Sequence, residues 1–294
     1  MALKVGYLGP KGTFTKIAVN EIFPNEENIP YDTILASIEA VTNGDVEFAV
    51  VPLENAIEGS VNITIDYLIH EQNLPIVGEI IVPIRQHLMV HPKNKCQWEN
   101  ATTVLSHSHA IAQCHKFLHT KMPNVEIQFV NSTGAAAEYV NEHPEDCIAA
   151  IGNELAAKEY GLDIVKKDVH DYDNNHTRFV ILHKNNVELG TSQRSYGGDR
   201  TTLMVSLPSD YAGALHQVLS AFAWRKLNLS KIESRPMKTG LGNYFFLIDV
   251  EMKMDEVLIP GVVAELEALG CSVRILGSYP YYFVGKEQSS TLQN

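Results

Sequence analysis

The chain has 294 residues, enough for two domains of roughly 100–200 residues each. Asp and Glu outnumber Lys and Arg by 35 to 23, giving a formal net charge of −12 that argues against nucleic acid or an anionic membrane surface as a partner. With 45% hydrophobic and 20% charged residues, the composition is that of a folded globular protein and excludes disordered and collagen-like chains.

In chain order, residues 4–8 read as a strand and 12–23 as a helix. Residues 34–41 are helical by the spacing of Ile34, Leu35, Ile38 and Val41, and 48–51 form a buried strand. Residues 62–70 make a further helix with Ile65, Leu68 and Ile69 on one side; 76–83 and 86–91 are extended. Strands at 103–106, 125–130 and 147–151 alternate with helices at 110–119 and 134–141, and 177–183 is the last strand of this half. Such alternation predicts parallel sheets with helices on both faces.

Residues 184–199 (KNNVELGTSQRSYGGD) are polar, hold three glycines and mark a domain boundary. Beyond them the rhythm changes to strand 201–207, helix 214–227, strands 229–234 and 244–251, helix 260–269 and strand 273–276. That order, βαββαβ, is the ferredoxin-like arrangement. It leaves a sheet face or edge that a second copy would cover.

The cysteines Cys96, Cys114, Cys147 and Cys271 are far apart and form no CxxC pair, so neither a zinc knuckle nor a disulfide framework is indicated. The opening residues do not resemble a signal peptide, and the longest apolar stretches, such as Phe48 to Leu53, fall far short of the ~20 residues that span a bilayer. The expectation is a soluble cytoplasmic protein without membrane partners.

Four strand-to-helix junctions carry small hydroxyls: Gly12-Thr13, Gly59-Ser60, Ser106-His107 and Ser132-Thr133. Capping accounts for any one of them. Together they point further, because ligands of open α/β sheets lie beyond the carboxyl ends of the strands and helix N-termini attract anions. The loop Gly9-Pro10-Lys11-Gly12-Thr13 lacks phosphate-loop spacing, and no G-x-G-x-x-G follows a strand, so no nucleotide is expected. His107 and His109 are two apart, a spacing that puts them on different sides of a helix and argues against a shared metal. Pro52-Leu53-Glu54-Asn55 puts a carboxylate and an amide at the end of a buried strand, whereas a Glu–Lys pair and an Asn turn would serve structure alone. Asn175-His176-Thr177-Arg178-Phe179 opens the final strand of this half with a hydroxyl, a guanidinium and a ring. Its arginine suits a bidentate carboxylate contact, or a pair with Asp171 or Asp173.

These segments, with SHSHAIAQC at 106–114, STGAAA at 132–137, GAL at 213–215, IESRP at 232–236, NYFFLID at 243–249 and LGSYP at 276–280, resemble the monofunctional bacterial prephenate dehydratases that carry a C-terminal ACT regulatory domain. The resemblance spans nearly the whole chain. Ala56 stands where that family usually has Ser or Thr, His109 where Gln is common, and Ala212 where Pro is usual.

The resemblance implies an α/β fold: a bilobal catalytic domain similar to type II periplasmic binding proteins at 1–184 and a linker at 185–199. A ferredoxin-like ACT domain would follow at 200–285, with a tail at 286–294. Lobe one would comprise about 1–76 and 160–184, lobe two about 77–159, with the site between them. The implied reaction is dehydration and decarboxylation of prephenate to phenylpyruvate, with no cofactor and no metal. Thr177, Glu54, Asn55, Ser106 and Gln113 would be catalytic, and Thr13, Ser60, Ser132, Thr133, Arg178 and Phe179 would bind substrate. L-Phenylalanine would bind at Gly213, Ala214, Leu215, Glu233, Ser234, Arg235, Pro236 and Asn243, in a homodimer or homotetramer joined through ACT domains. An arogenate dehydratase and a non-catalytic anion sensor are the alternatives.

Overall fold

The structure is a computed structural model and describes residues 3–189, 195–209, 211–237 and 244–285. It divides into two compact units. Unit 1 comprises residues 1–72 and 81–180; unit 2 comprises 73–80 and 181–294.

Unit 1 begins with β1 (Lys4–Leu8), α1 (Phe14–Ile22), β2 (Glu27–Tyr31), α2 (Ile34–Asn43), β3 (Phe48–Asn55), β4 (Gly59–Ser60) and α3 (Asn62–His70). Strand β5 (Ile76–Pro83) enters it at residue 81. A second series follows: β6 (His87–Val90), a 3-10 helix at Pro92–Asn100, β7 (Thr103–Ser106), α4 (Ser108–Ala112), α5 (His115–Lys121) and β8 (Glu126–Phe129). It continues with α6 (Thr133–Glu142), β9 (Ile148–Gly152), α7 (Glu154–Glu159), β10 (Asp163–Lys166) and β11 (His176–His183). Strands β11-β3-β1-β2 form one sheet, with β1 parallel to both β2 and β3, and β4 pairing with β3. Strands β10-β6-β9-β7-β8 form the other.

The second sheet is covered on both faces, as its near-continuous apolar strands require. Leu88, Val90, Val104 and Ile151 pack with Cys114 and Leu118 of the α4–α5 side. Met89, Leu105 and Ala150 pack with Ala136 and Val140 of α6 and Ala156 of α7. The strand–helix alternation predicts parallel sheets, but β6 runs antiparallel to both β9 and β10, while β7 is parallel to β8 and β9. The strands of the second sheet run from residue 87 to 166, whereas the expectation for lobe two is about 77–159; β5, at Ile76–Pro83, does not belong to this sheet. The single helix expected at 110–119 is broken at Cys114, whose backbone (φ −116°, ψ 17°) is not helical. Asp171 holds the break: its N–H donates to the Gln113 carbonyl at 2.6 Å and its carboxylate accepts the Lys116 N–H at 3.2 Å. A partner 55 residues away leaves no trace in helical periodicity.

Unit 2 contains β12 (Tyr196–Ser206), α8 (Ala214–Ala223), β13 (Leu229–Pro236), β14 (Tyr244–Val250), α9 (Leu258–Ala268) and β15 (Ser272–Phe283). The observed order is βαββαβ. The sheet runs β13-β14-β12-β15, antiparallel at the β13–β14, β12–β14 and β12–β15 pairs, with β5 beyond β15. Its core is Leu203, Val205, Phe246 and Ile248 against Val218 and Phe222 of α8 and Val262 and Leu266 of α9. The expected linker ends later than the structure allows, since β12 already begins at Tyr196, paired with Tyr282. Gly197 and Gly198, read as breakers, instead admit the rings of Tyr281 and Phe283. Gly198 has φ +145°, and a Cβ there would lie 3.0 Å from the Tyr281 hydroxyl. Residues 190–194 lie outside the described residues.

Candidate active site

Unit 1 contains a cavity of about 860 Å³ at the carboxyl ends of its strands, lined by residues of both its sheets. One wall is the loop after β1. Gly9 N–H donates to the Tyr31 carbonyl at 2.8 Å, and Gly12 takes φ +75°. Asn153 secures the loop: its Nδ2 donates to the Gly12 carbonyl at 2.8 Å while its Oδ1 accepts the Ala156 N–H at the start of α7. Gly134 permits the close approach of α6, since a Cβ there would lie 2.5 Å from the Lys11 carbonyl oxygen.

Three helices of nine or ten residues present their N-terminal ends to this cavity. Thr13 caps α1, accepting from Lys16 N–H, and Ser132 caps α6, accepting from Ala135 N–H at 3.0 Å. Thr13, Ser132, Thr133, Ser60 and Val61 all line the cavity. Unpaired N–H groups and the helix dipoles make such a wall attractive to carboxylates. The hydroxyl-bearing junctions thus converge at three of four positions. The exception is Ser106: it is fully buried, its hydroxyl donates to the Ile151 carbonyl at 2.7 Å, and it is absent from the cavity lining, which corrects the catalytic role expected for it.

At the end of β3, Asn55 organises the polar groups. Its Nδ2 donates to Thr177 Oγ1 at 2.9 Å and to Asn175 Oδ1 at 3.0 Å, while its Oδ1 accepts the N–H groups of Ile57 and Glu58. Because Thr177 accepts from Asn55, its own O–H proton is left to donate into the cavity that Thr177 lines. Phe179, two residues on and on the same strand face, adds an aromatic surface. Gln113, 6% exposed, lines the cavity with a side-chain oxygen that has no hydrogen-bond partner among the described residues.

Arg178 and Glu54 fall on the other face of their strands. The guanidinium donates to the Glu54 carboxylate at 2.6 Å, and neither residue lines the cavity. The alternation of strand side chains that aims Thr177 and Phe179 inward sends Arg178 outward, and Asn55 and Glu54 divide in the same way. The expected carboxylate contact by Arg178 and proton supply by Glu54 are therefore replaced by an ion pair.

Sequence reasoning passes over Gln86, which is 2% exposed, lines the cavity and also has a side-chain oxygen without a partner among the described residues. Only its position at the entry to an extended segment could flag it. Helical spacing also misplaces the two histidines. His107 is the N-cap of α4 with extended backbone, not a helical residue, so it and His109 line the same cavity with ring centroids 4.9 Å apart. Burial, aided by His109 and opposed by Glu58, lowers the His107 pKa.

In unit 2, Gly213 caps α8 with φ +92°, Ala214 is buried and Leu215 is exposed. Glu233 on β13 pairs with Lys231 at 3.2 Å and with Arg235 at 3.0 Å; Ser234 and Pro236 are exposed on the same strand. Asn243 lies outside the described residues. No helix among the described residues is long and apolar enough to cross a membrane.

A prephenate dehydratase family model matches residues 5–187. A prephenate dehydratase of Bacillus subtilis (strain 168) is 59% identical over 283 residues, covering 95% of this chain and 99% of that protein. The crystal structure of a prephenate dehydratase from Arthrobacter aurescens in complex with L-Phe is similar with TM-score 0.83 and 34% identity, over 94% of this chain and 89% of that one. A protein described as a quorum quenching acylase, GqqA, shares the fold at TM-score 0.81 and 27% identity, over 95% of this chain and 98% of that one. Fold alone therefore does not fix the chemistry, but high identity along nearly the full length of a curated relative does fix the lineage: the chain belongs to the prephenate dehydratase family.

Proposed function

We propose that the unit 1 cavity binds prephenate and expels its ring carboxylate as carbon dioxide and its ring hydroxyl as water, leaving phenylpyruvate. The observation that carries this reading is the Thr177 hydroxyl, which accepts a hydrogen bond from Asn55 Nδ2 and belongs to a residue lining the cavity with Phe179, so that its own proton is free to donate to a bound substrate. The electrons of the breaking carbon–carboxylate bond enter the ring and the carbon–oxygen bond to the hydroxyl breaks, so the six-membered ring becomes aromatic. One proton converts the departing hydroxide to water. Thr177 supplies a hydrogen bond to that oxygen; a free threonine hydroxyl is too weak an acid to act alone at neutral pH, so Asn55 and Gln113 complete the polarising set. Thr13, Ser60, Ser132 and Thr133, with the ends of α1, α3 and α6, hold the carboxylates. Phe179 packs on the ring.

The unit 2 βαββαβ fold supports binding of L-phenylalanine, which the Arthrobacter relative holds in its crystal, with Gly213–Leu215 and Glu233–Pro236 as the contacts. We assign residues up to about 184 to the catalytic domain and those from Tyr196, where β12 begins, to about 285 to the regulatory one, in a dimer or tetramer joined through the latter. The acidic composition suits a cytoplasmic enzyme.

The decisive experiment follows phenylpyruvate by ultraviolet absorbance with purified protein and prephenate, repeated with arogenate and with millimolar phenylalanine. Turnover of prephenate, faster than of arogenate and altered by phenylalanine, is the expected result. No phenylpyruvate from prephenate would overturn the assignment, and turnover indifferent to phenylalanine would remove the regulatory part.

A further inference from the structure

The described lining of the unit 1 cavity contains no lysine or arginine, whereas the acidic residues Asp32 and Glu58 are both part of it. Arg178, the guanidinium of the adjoining strand, is engaged by Glu54. A helix N-terminus carries only about half an elementary charge, and a substrate with two carboxylates brings two whole ones. Among the described lining residues, the side chains able to carry a full positive charge are the imidazoles of His107 and His109.

The two rings are not equivalent. His107 Nδ1 accepts the backbone N–H of His109 at 3.3 Å, so protonating that nitrogen would break the cap of α4. Burial and the neighbouring His109 push the same way, toward a neutral His107. His109 has no such commitment: it is exposed on the first turn of α4, beside the open volume of the cavity. Glu58 from the β3–β4 turn and Asp32 from the end of β2 line the same space and favour a cation there. Beyond the break, Lys116 and Asp171 are joined through the Lys116 N–H and the Asp171 carboxylate. A single proton shared by the histidine pair avoids two adjacent positive charges.

We propose that His109, protonated, is a specificity-determining anion contact of this site, receiving one carboxylate of the substrate while neutral His107 caps the helix that carries it. The inference rests on the reading that prephenate occupies the cavity. Binding of the dianion and protonation of the imidazole are then linked, so each favours the other. Raising the pH therefore works against binding, and KM rises.

The test measures kcat and KM for prephenate from pH 6 to 8.5, with enzyme-free blanks, for the parent protein and for His109→Gln, which retains hydrogen-bonding groups but does not titrate. In the parent, KM should rise about fivefold across this range, the upper end for an exposed charge contact. In His109→Gln, KM should stay near the parent's high-pH value throughout, while the pH profile of kcat keeps its shape. A variant that retains the parental rise in KM, or a parent with flat KM, overturns the role of His109 and leaves the substrate reading intact. Absence of turnover in the parent at every pH overturns the substrate reading itself, and His109 with it.

Discussion

Replacing Thr177 by Val removes one hydroxyl at nearly constant volume and so tests the proposed chemistry directly. On the stability side, Asn55 Nδ2 loses an acceptor at 2.9 Å but keeps Asn175 Oδ1 at 3.0 Å. The cost should be that of one net hydrogen bond, about 1 kcal/mol. On the catalytic side, the hydroxyl donates to an oxygen that acquires negative charge only as its bond to carbon breaks. Removing one such donor from a pre-arranged site typically costs about 2.7–4 kcal/mol, or roughly 10²–10³ in kcat. The hydroxyl touches the ground-state substrate much more weakly, so KM should move less than about threefold, the signature of an interaction made in the transition state. Steady-state kinetics and thermal unfolding of the same preparation separate the two effects. A variant with normal unfolding and kcat within about threefold of the parent would refute the role given to Thr177. A large rise in KM at unchanged kcat would make it a binding residue only.

Three further outcomes follow from the geometry. Arg178→Ala and Glu54→Gln should each lower stability by about 1–3 kcal/mol through loss of a half-buried pair, with sub-additive effects in the double variant and KM for prephenate changed less than about threefold; a tenfold rise in KM for Arg178→Ala would return the guanidinium to the substrate. Gly134→Ala forces a methyl to within 2.5 Å of the Lys11 carbonyl oxygen, so it should cost about 1–3 kcal/mol and reduce activity by displacing the Gly9–Thr13 loop; unchanged Tm and activity would show that α6 and the loop do not need this contact. His87 and His107 both have pKa values lowered chiefly by burial from 6.5, and each Nδ1 accepts a backbone N–H. Their contribution to stability is therefore complete above about pH 6.5 and lost as pH falls toward the lowered folded values, since the unfolded chain takes up the protons first. Melting curves from pH 7.5 to 5 should show Tm falling, less steeply in His87→Gln; a flat Tm would contradict it.

Elements whose cause is local are legible in the amino-acid sequence. The helix at 62–70 and the strands at 76–83 and 103–106 follow from the spacing of their own apolar residues, and each occupies those limits. The capping residues Thr13 and Ser132 are equally readable, since a hydroxyl before an apolar period has one common use. What escapes depends on partners far away along the chain. The break at Cys114 is held by Asp171, and the extension of β12 and β15 comes from Tyr196 meeting Tyr282. Short motifs err in a related way, because a run of useful residue types on a strand is split between its two faces. NHTRF contains a hydroxyl, a guanidinium and a ring in succession, yet only Thr177 and Phe179 line the cavity.

That division bears on how an acidic protein holds a dianion. If Arg178 faced the cavity, substrate binding would rest on a permanent charge and vary little with pH near neutrality. With Arg178 paired to Glu54, the binding wall is left to partial charges at helix ends and to a titratable imidazole. The net charge of −12 is then a small obstacle, because exposed charges beyond a Debye length of about 8–10 Å are screened. Asp32 and Glu58, by contrast, line the cavity itself. They oppose a dianion and at the same time favour the protonated imidazole that would receive it. Removing either carboxylate should thus have two opposing effects on KM whose balance changes with pH: the gain in affinity should be larger at the alkaline end of the range than at the acidic end, where part of the benefit is returned as lost imidazolium.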